Sequence, residues 1–522
     1  MNSQDDQDVA VPEQDRPSLK NLWGSRFREV PSAHMLGFMS ARDVTGRQPV
    51  DLRLLPYDLW YSKAHTLMLH RIGVMGKEPA RRILHGLAKM ESIAQQGDFT
   101  LDASSEDIHT NIDNYLQEKL DVSAVGDYHI GRSTVDETAT DMLLMLRDHA
   151  LQYMLSLSNL VEALCESATL HVNTVFPGYM GSQYGMITTW GHYLTAFAEA
   201  LQRDQQCFRN WFELYDRSPA GACEGFGSSV PIDRADVARR LGFAGPQANA
   251  LDTMTHLWES ELGIVQVIDQ TMVHFSSFAQ TLRMFSLSGH RLLELPDEIS
   301  SGSSLIPQRI NPDTLEILIA KAKLTNQLAA VIANIGSAQL YGYSREHQWS
   351  KYAVIDVLDE TLPAPLILAR IVEDLEVNED ASIEATSQEF AASTDLVEYL
   401  VREHDLGMMQ AKHTVEAAIK LSEAEGESGI NATLLNRALA EHESKLRLAE
   451  EDLAFLSEPL HLVHQRISAG GPSPDSIREN IEHLREQSKQ QSAWLQHTIG
   501  HLLTTKEKLD HEVERFIDED TR

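Results

Sequence analysis

Cysteine is nearly absent from this 522-residue chain: Cys165, Cys207 and Cys223 form no CxxC pair and no zinc-ligand spacing. Small buried thiols in a reducing compartment, by default the cytoplasm, are therefore expected rather than disulfides or a metal centre. Basic charge is scarce as well. With 44 Lys plus Arg against 77 Asp plus Glu, the formal net charge is -33. That argues against nucleic acid as a partner, because such affinity comes from Lys and Arg neutralising phosphates. No apolar run approaches the roughly 20 residues needed to cross a bilayer, so no membrane association is expected. The N-terminal stretch MNSQDDQDVAVPEQDRPSLK is acidic and polar without the apolar centre of a signal peptide, and reads as a disordered tail. Metal pairs of the HExxH kind, phosphate-binding glycine loops after a strand, and internal repeats are all missing.

Alternating strand patterns are almost absent too, and helical periodicity takes their place. An all-α fold follows. Residues 138–171 run without Gly or Pro, apolar side chains returning every three or four positions, which allows a helix of roughly 50 Å. Residues 247–287 and 312–339 have the same character. Their wide apolar surfaces need partners, which points to a bundle of long helices continued across subunits. Gly and Pro cluster at 176–185, 217–231 and 295–312, marking loops at helix ends. Beyond residue 362 the pattern shortens into smaller helices. The expected organisation is a tail over 1–20, an N-terminal helical domain over 21–136, a central bundle over 137–361 and a C-terminal helical domain over 362–522.

The loop SGSSLIPQRINP, residues 301–312, carries the most chemistry. Gly302 permits mobility, Ser303 and Ser304 supply hydroxyls, and Pro307 fixes a bend before Arg309 and Asn311. Pro312 suits the first position of a helix. A helix starting at Asn311 would aim its backbone N–H groups and positive dipole end where the Arg309 guanidinium also points, which makes a carboxylate site.

That loop closely resembles the signature loop of the aspartase and fumarase superfamily. Further segments narrow the resemblance to argininosuccinate lyase: NLWGSRF (21–27), LRLLPYDLWYSKAHTLML (52–69), SSEDIHTNID (104–113), DYHIGRSTVDETATDMLLMLRD (127–148) and FPGYMGSQYGM (176–186). VPIDRADVARRLGF (230–243), LYGYSREHQWSK (340–351), TDLVEYLVREHDLGMMQAKHTV (394–415) and ISAGGPSPDSIRENI (467–481) continue it in family order. The resemblance implies a fumarase/aspartase-like fold with a central bundle of long helices. It also implies a homotetramer whose active sites are shared between subunits, and an elimination that releases fumarate without metal or cofactor. Ser303 matches the catalytic base, Arg309 stands where lysine is usual, and Asn311 is kept. Asp51, Tyr343, Gln348 and Lys351 match residues that hold the amino-acid portion of the substrate, and Ser133 and Gln183 match further substrate contacts.

Departures from the family pattern are equally specific. Met180 and Gly181 replace a Thr-His pair whose histidine is linked to proton transfer. Thr134 and Val135 follow Ser133 where arginine and asparagine are usual, Leu257 replaces an arginine, and Ile310 replaces a lysine. An insertion lies around residues 43–49. His109, His129, Tyr179 and Tyr184 are the candidates to stand in for the missing histidine. The expected activity is carbon–nitrogen lysis of an N-(1,2-dicarboxyethyl) amino-acid-like compound with altered specificity. A catalytically inactive structural homologue is the alternative.

Overall fold

Long segments free of Gly and Pro, each too apolar to stand in water alone, set the architecture. The computed structural model describes Phe38 and residues 49–102, 104–119, 125–387, 390–427 and 429–518. The expected tail, the NLWGSRF segment and nearly all of the insertion lie outside those residues. The principal helices are α1 (Leu55–Arg71), α2 (Lys77–Gln95), α3 (Thr134–Leu170), α4 (Trp190–Leu214), α5 (Leu257–Phe285), α6 (Asp313–Gly336), α7 (Ser350–Thr361) and α8 (Pro474–Asp518). The fold is all-α, as its periodicity predicts. Among the described residues, no helix is long and apolar enough to cross a membrane.

Helix α3 shows how the sequence builds the bundle. Ser133 caps it, its hydroxyl accepting from the Val135 N–H at 3.1 Å, while the Glu137 carboxylate complements the positive end of the dipole in the first turn. Met142, Leu146, Tyr153, Leu157, Leu160 and Leu164 then fall at helical spacing and are buried. They pack α3 against α4, while α4 and α6 both pack against α5.

Helices α5 and α6 run antiparallel, and three contacts fix their direction. Arg283 Nη2 meets Glu316 Oε1 at 3.0 Å at one end, and Asn326 Nδ2 donates to Asp269 Oδ2 at 3.0 Å midway. At the other end Gly336 lies so close to Trp258 that a Cβ there would fall 2.3 Å from the ring. Only glycine fits such a crossing.

Four local expectations are corrected. Residues 247–287 do not form one helix: a short helix over Ala250–Thr255 stops at His256, whose ring is held by Asp252 at 2.9 Å, before α5 begins. Residues 176–185 are not a loop but part of a β-hairpin, Val175–Met180 paired with Gln183–Thr189. Its Val175, Phe176 and Ile187 are buried, and Gly181 takes φ +63° at the turn, where glycine has no steric penalty. Asn311 does not start a helix either. It pairs with Ser301 in a short antiparallel ladder that also joins Gly302 to Ile310, and α6 begins at Asp313. Finally, the C-terminal region does not consist only of small helices, because α8 spans 45 residues. Its strong polarity hides a sparse buried stripe of Ile477, Ile481, Leu484, Leu495, Leu509 and Val513.

Helix α8 packs on α1, α2, α3 and α4 and joins the main core. Residues 396–453, by contrast, have a smaller core of their own, around Leu396, Leu400, Val415 and Leu435.

Candidate active site

The antiparallel bundle sorts the sequence-predicted site residues into two groups. At the Leu257 end of α5, a cavity of about 260 Å³ is lined by Val135, Leu257, Tyr343, Gln348 and Lys351 among others. Val135, Leu257 and Tyr343 also share a small apolar cluster with Met254 and Ala222. The Lys351 ammonium is ion-paired with the Asp51 carboxylate, and the Tyr343 hydroxyl is hydrogen bonded to the Gln348 side chain. Arg345 Nε donates to Gln348 Oε1 at 3.2 Å. Ser133 and Thr134 open α3 at this same end.

The second group sits at the Phe285 end. Phe176 and Tyr179 of the hairpin place their rings 4.7 and 5.8 Å from that of Phe285, so Met180, Gly181 and Gln183 belong to this end. Met180 and Gln183 pair across the turn and both are exposed. Gly181 has open space where a side chain would stand. The serine loop leads into α6 here. Ser303 is half-buried, and its Oγ accepts from the backbone N–H groups of Leu305 at 3.3 Å and Ile306 at 3.0 Å. Arg309 and Ile310 are exposed. Asn311 Nδ2 donates to Gly302 O at 3.3 Å and Ser301 Oγ at 3.4 Å, holding the loop's two ends together. Its Oδ1 is buried without a partner among the described residues. Gly302, expected to lend mobility, is buried in the ladder that closes the loop.

The two groups cannot meet on one small molecule within one chain. Helix α5 has 29 residues and is therefore about 43 Å long.

Behind the cavity, a network of buried charge holds the first turn of α3. Arg132 Nε meets Glu137 Oε1 at 2.5 Å, and Arg132 Cζ lies over the Tyr128 and Tyr61 rings at 4.4 and 5.1 Å. His129 bridges Asp113 at 2.8 Å and Glu137 at 3.2 Å. His109 Nδ1 meets Asp58 at 2.6 Å, and its Nε2 lies 3.0 Å from Thr138 Oγ1. Thr138 Oγ1 donates to Thr134 O, so the imidazole Nε2–H donates to Thr138. His109 and His129 thus serve as struts for α3, and Tyr179 and Tyr184 pack on each other across the hairpin at 4.7 Å. Asp58, His109 and Glu137 have ligand atoms within 4.8 Å of one another, a spacing a metal would accept. The cationic His109 and Arg132 already supply the positive charge those carboxylates need.

Sequence reasoning missed this network and also Glu261. Glu261 lines the cavity one helical turn after Leu257, and that spacing alone could have flagged it. Burial raises its carboxyl to about 7, against an opposing hydrogen bond with Ser350.

These titrations set a pH dependence. Burial lowers His109, but the hydrogen bond and charge of Asp58, with Glu137 and Asp141, outweigh it and raise the imidazole to about 10 from an ordinary 6.5. Its stabilising contribution is complete below about 6.5 and is lost as pH climbs through 10. Asp136, pushed up to about 8 by burial and the Glu137 charge, holds a proton that the unfolded chain releases, so it acts in the same direction. The thermal midpoint is therefore expected to fall steadily between pH 6.5 and 10. A level or rising midpoint over that range contradicts the assignment of charges.

A lyase family model matches residues 42–324. The argininosuccinate lyase of Chelativorans sp. (strain BNC1) is 32% identical over 473 residues, covering 90% of this chain and 97% of that protein. In structure the chain is similar to EDDS lyase in complex with formate, with a TM-score of 0.85 at 23% identity, over 98% of this chain and 100% of that one. It is also similar to class II fumarase from Schistosoma mansoni, with a TM-score of 0.66 at 14% identity, over 85% and 95%. This chain belongs to the argininosuccinate lyase family of the aspartase and fumarase superfamily.

Proposed function

We propose that this protein is a carbon–nitrogen lyase that splits an N-(1,2-dicarboxyethyl) amine into fumarate and the free amine. Ser303 removes the proton next to a carboxylate, and the nitrogen leaves from the neighbouring carbon. The observation that carries this reading is the serine loop. Its ends are tied by Asn311, its Ser303 Oγ receives two backbone N–H groups, and Arg309 stands exposed beside it. Donors to a serine oxygen favour its anionic form, and a cation nearby favours the carboxylate and the doubly charged intermediate that follows. An EDDS lyase variant of the same fold binds fumarate, which supports the product assigned here.

Because the serine loop and the Lys351 cavity lie at opposite ends of a helix about 43 Å long, the active site is assembled between subunits of a homo-oligomer, a tetramer by family resemblance. Exposed Leu155, Val273, Leu324 and Val331 on α3, α5 and α6 offer apolar surface for that assembly.

The replaced histidine changes the leaving group rather than the reaction. With an exposed hairpin tip at Met180 and Gly181, proton donation to the amine is weak, and loss of general-acid help costs about 10²- to 10⁴-fold for a basic nitrogen. A weakly basic amine escapes that cost. The same tip favours the alternative of an inactive scaffold. Fumarate absorbance after mixing the protein with argininosuccinate and with other dicarboxyethyl amines decides between them. Release from at least one, faster than from argininosuccinate, is expected. Release from none contradicts the lyase reading, and efficient cleavage of argininosuccinate contradicts the altered specificity.

A further inference from the structure

Two departures from the family pattern converge on one wall of the cavity at the Leu257 end of α5. Val135 of α3 stands where asparagine is usual and Leu257 of α5 where arginine is usual, and the two share an apolar cluster with Tyr343. Val135, Met142 and Leu143 are buried along that wall, while Ala139, Leu257 and Tyr343 are half-buried and keep hydrocarbon open to the cavity. His347 joins Tyr343 in the lining, their rings inclined by 21° with centroids 6.3 Å apart, which gives the space an aromatic side.

Charge is placed elsewhere. Arg217, Asp252 and Glu259 are exposed, which puts them at the mouth of the cavity. Farther in, Lys351 is paired with Asp51, and the Glu261 carboxyl is hydrogen bonded to Ser350. An ionic end laid along the wall would meet hydrocarbon, and burying a charge without a partner is costly. A ring is welcome there. The cavity measures about 260 Å³, and an apolar cavity of about 150 Å³ already takes up benzene. We infer that this cavity receives an uncharged hydrocarbon ring at the far end of the leaving amine. The substrate class is then the dicarboxyethyl derivative of a ring-bearing amine or amino acid. This assignment rests on reading the cavity as the amine end of the lyase site.

Binding to the Ser303→Ala variant, which lacks the proposed base, tests the subsite apart from turnover. The probes are the fumarate adducts of methylamine, benzylamine and putrescine, titrated by calorimetry: the first has no end group, the second an uncharged ring and the third an ammonium. The benzylamine adduct is expected to bind at least about tenfold more tightly than either of the others, as burial of one ring provides. Leu257→Asp, added to that variant, should reverse the order of the benzylamine and putrescine adducts, because it gives the ammonium a partner and the ring a charged wall. Leu257 is the first residue of α5, where aspartate suits the helix dipole. Equal affinities for the benzylamine and methylamine adducts, tighter binding of the putrescine adduct, or a ring preference that survives Leu257→Asp overturns the inference. Should Leu257→Asp fail to assemble, Ala139→Leu, which fills the cavity from α3, decides: a surviving ring preference overturns the inference, and its loss upholds it. A ring preference lost in these variants, without fumarate release from any adduct by the unsubstituted protein, upholds the subsite and overturns only the lyase reading.

Discussion

Ser303→Ala is expected to lower fumarate release at least about a hundredfold while leaving assembly and thermal midpoint unchanged. The serine is half-buried at the start of an exposed loop. Its described side-chain hydrogen bonds are those its oxygen accepts from the N–H groups of Leu305 and Ile306. Neither is a packing contact that the core depends on, and both N–H groups can turn to water once the hydroxyl is gone. What the substitution removes is therefore the proposed proton acceptor, and stability and activity should part company. Initial rates by ultraviolet absorbance, beside a melting curve, make the check. An alanine variant of undiminished rate shows that some other group takes the proton.

Arg132→Met should have the opposite signature, a large loss of stability. Arg132 is 7% exposed and pairs with Glu137 at 2.5 Å, Nη1 donates to Ser62 Oγ at 3.2 Å, and two tyrosine rings cover the guanidinium. A methionine replaces the hydrocarbon but leaves Glu137 buried with only His129 and His109 nearby. Removing one partner of a buried ion pair costs about 3–5 kcal/mol, a large share of the 5–15 kcal/mol that typically separates folded from unfolded states. Urea unfolding should show a matching drop in midpoint. The double variant Arg132→Met with Glu137→Leu should recover part of it, because no charge is then left stranded. A single variant as stable as the parent would mean that water reaches Glu137.

Both predictions depend on features that the sequence exposes unequally. The long helices α3 and α6 were legible because unbroken apolar periodicity is the same signal that packing uses. The hairpin at 175–189 was not, since its Pro177, Gly178 and Gly181 read as loop punctuation. The strands form there because Phe176 and Ile187 find buried partners, which is a tertiary effect. Helix α8 stayed hidden for the converse reason, an apolar stripe too thin to stand out from its charge. Ser303, Arg309 and Asn311 could be named from a local motif, and Lys351 with Tyr343 and Gln348 from another. That these groups lie at opposite ends of one helix could not be read, because it depends on the antiparallel direction of α5 and α6. The Arg132 network draws Asp58, Tyr61 and His109 onto residues 128–137, contacts distant in sequence for which a single chain carries no pairing signal, whereas Glu261 carried a local signal in its spacing from Leu257.

Separation of the two groups leads to the measurement that tests the account most directly. Ser303→Ala lacks the proposed base at one end, and Lys351→Met lacks a proposed substrate contact at the other. Each variant alone should release almost no fumarate from a substrate the unsubstituted protein cleaves. After the two are mixed, dissociated and reassembled, some sites will join an intact Ser303 from one chain to an intact Lys351 from another. Recovered fumarate release in the mixture is the predicted result. No recovery at any mixing ratio, from assemblies shown to contain both chains, would contradict an active site built across subunits from the two ends of the bundle.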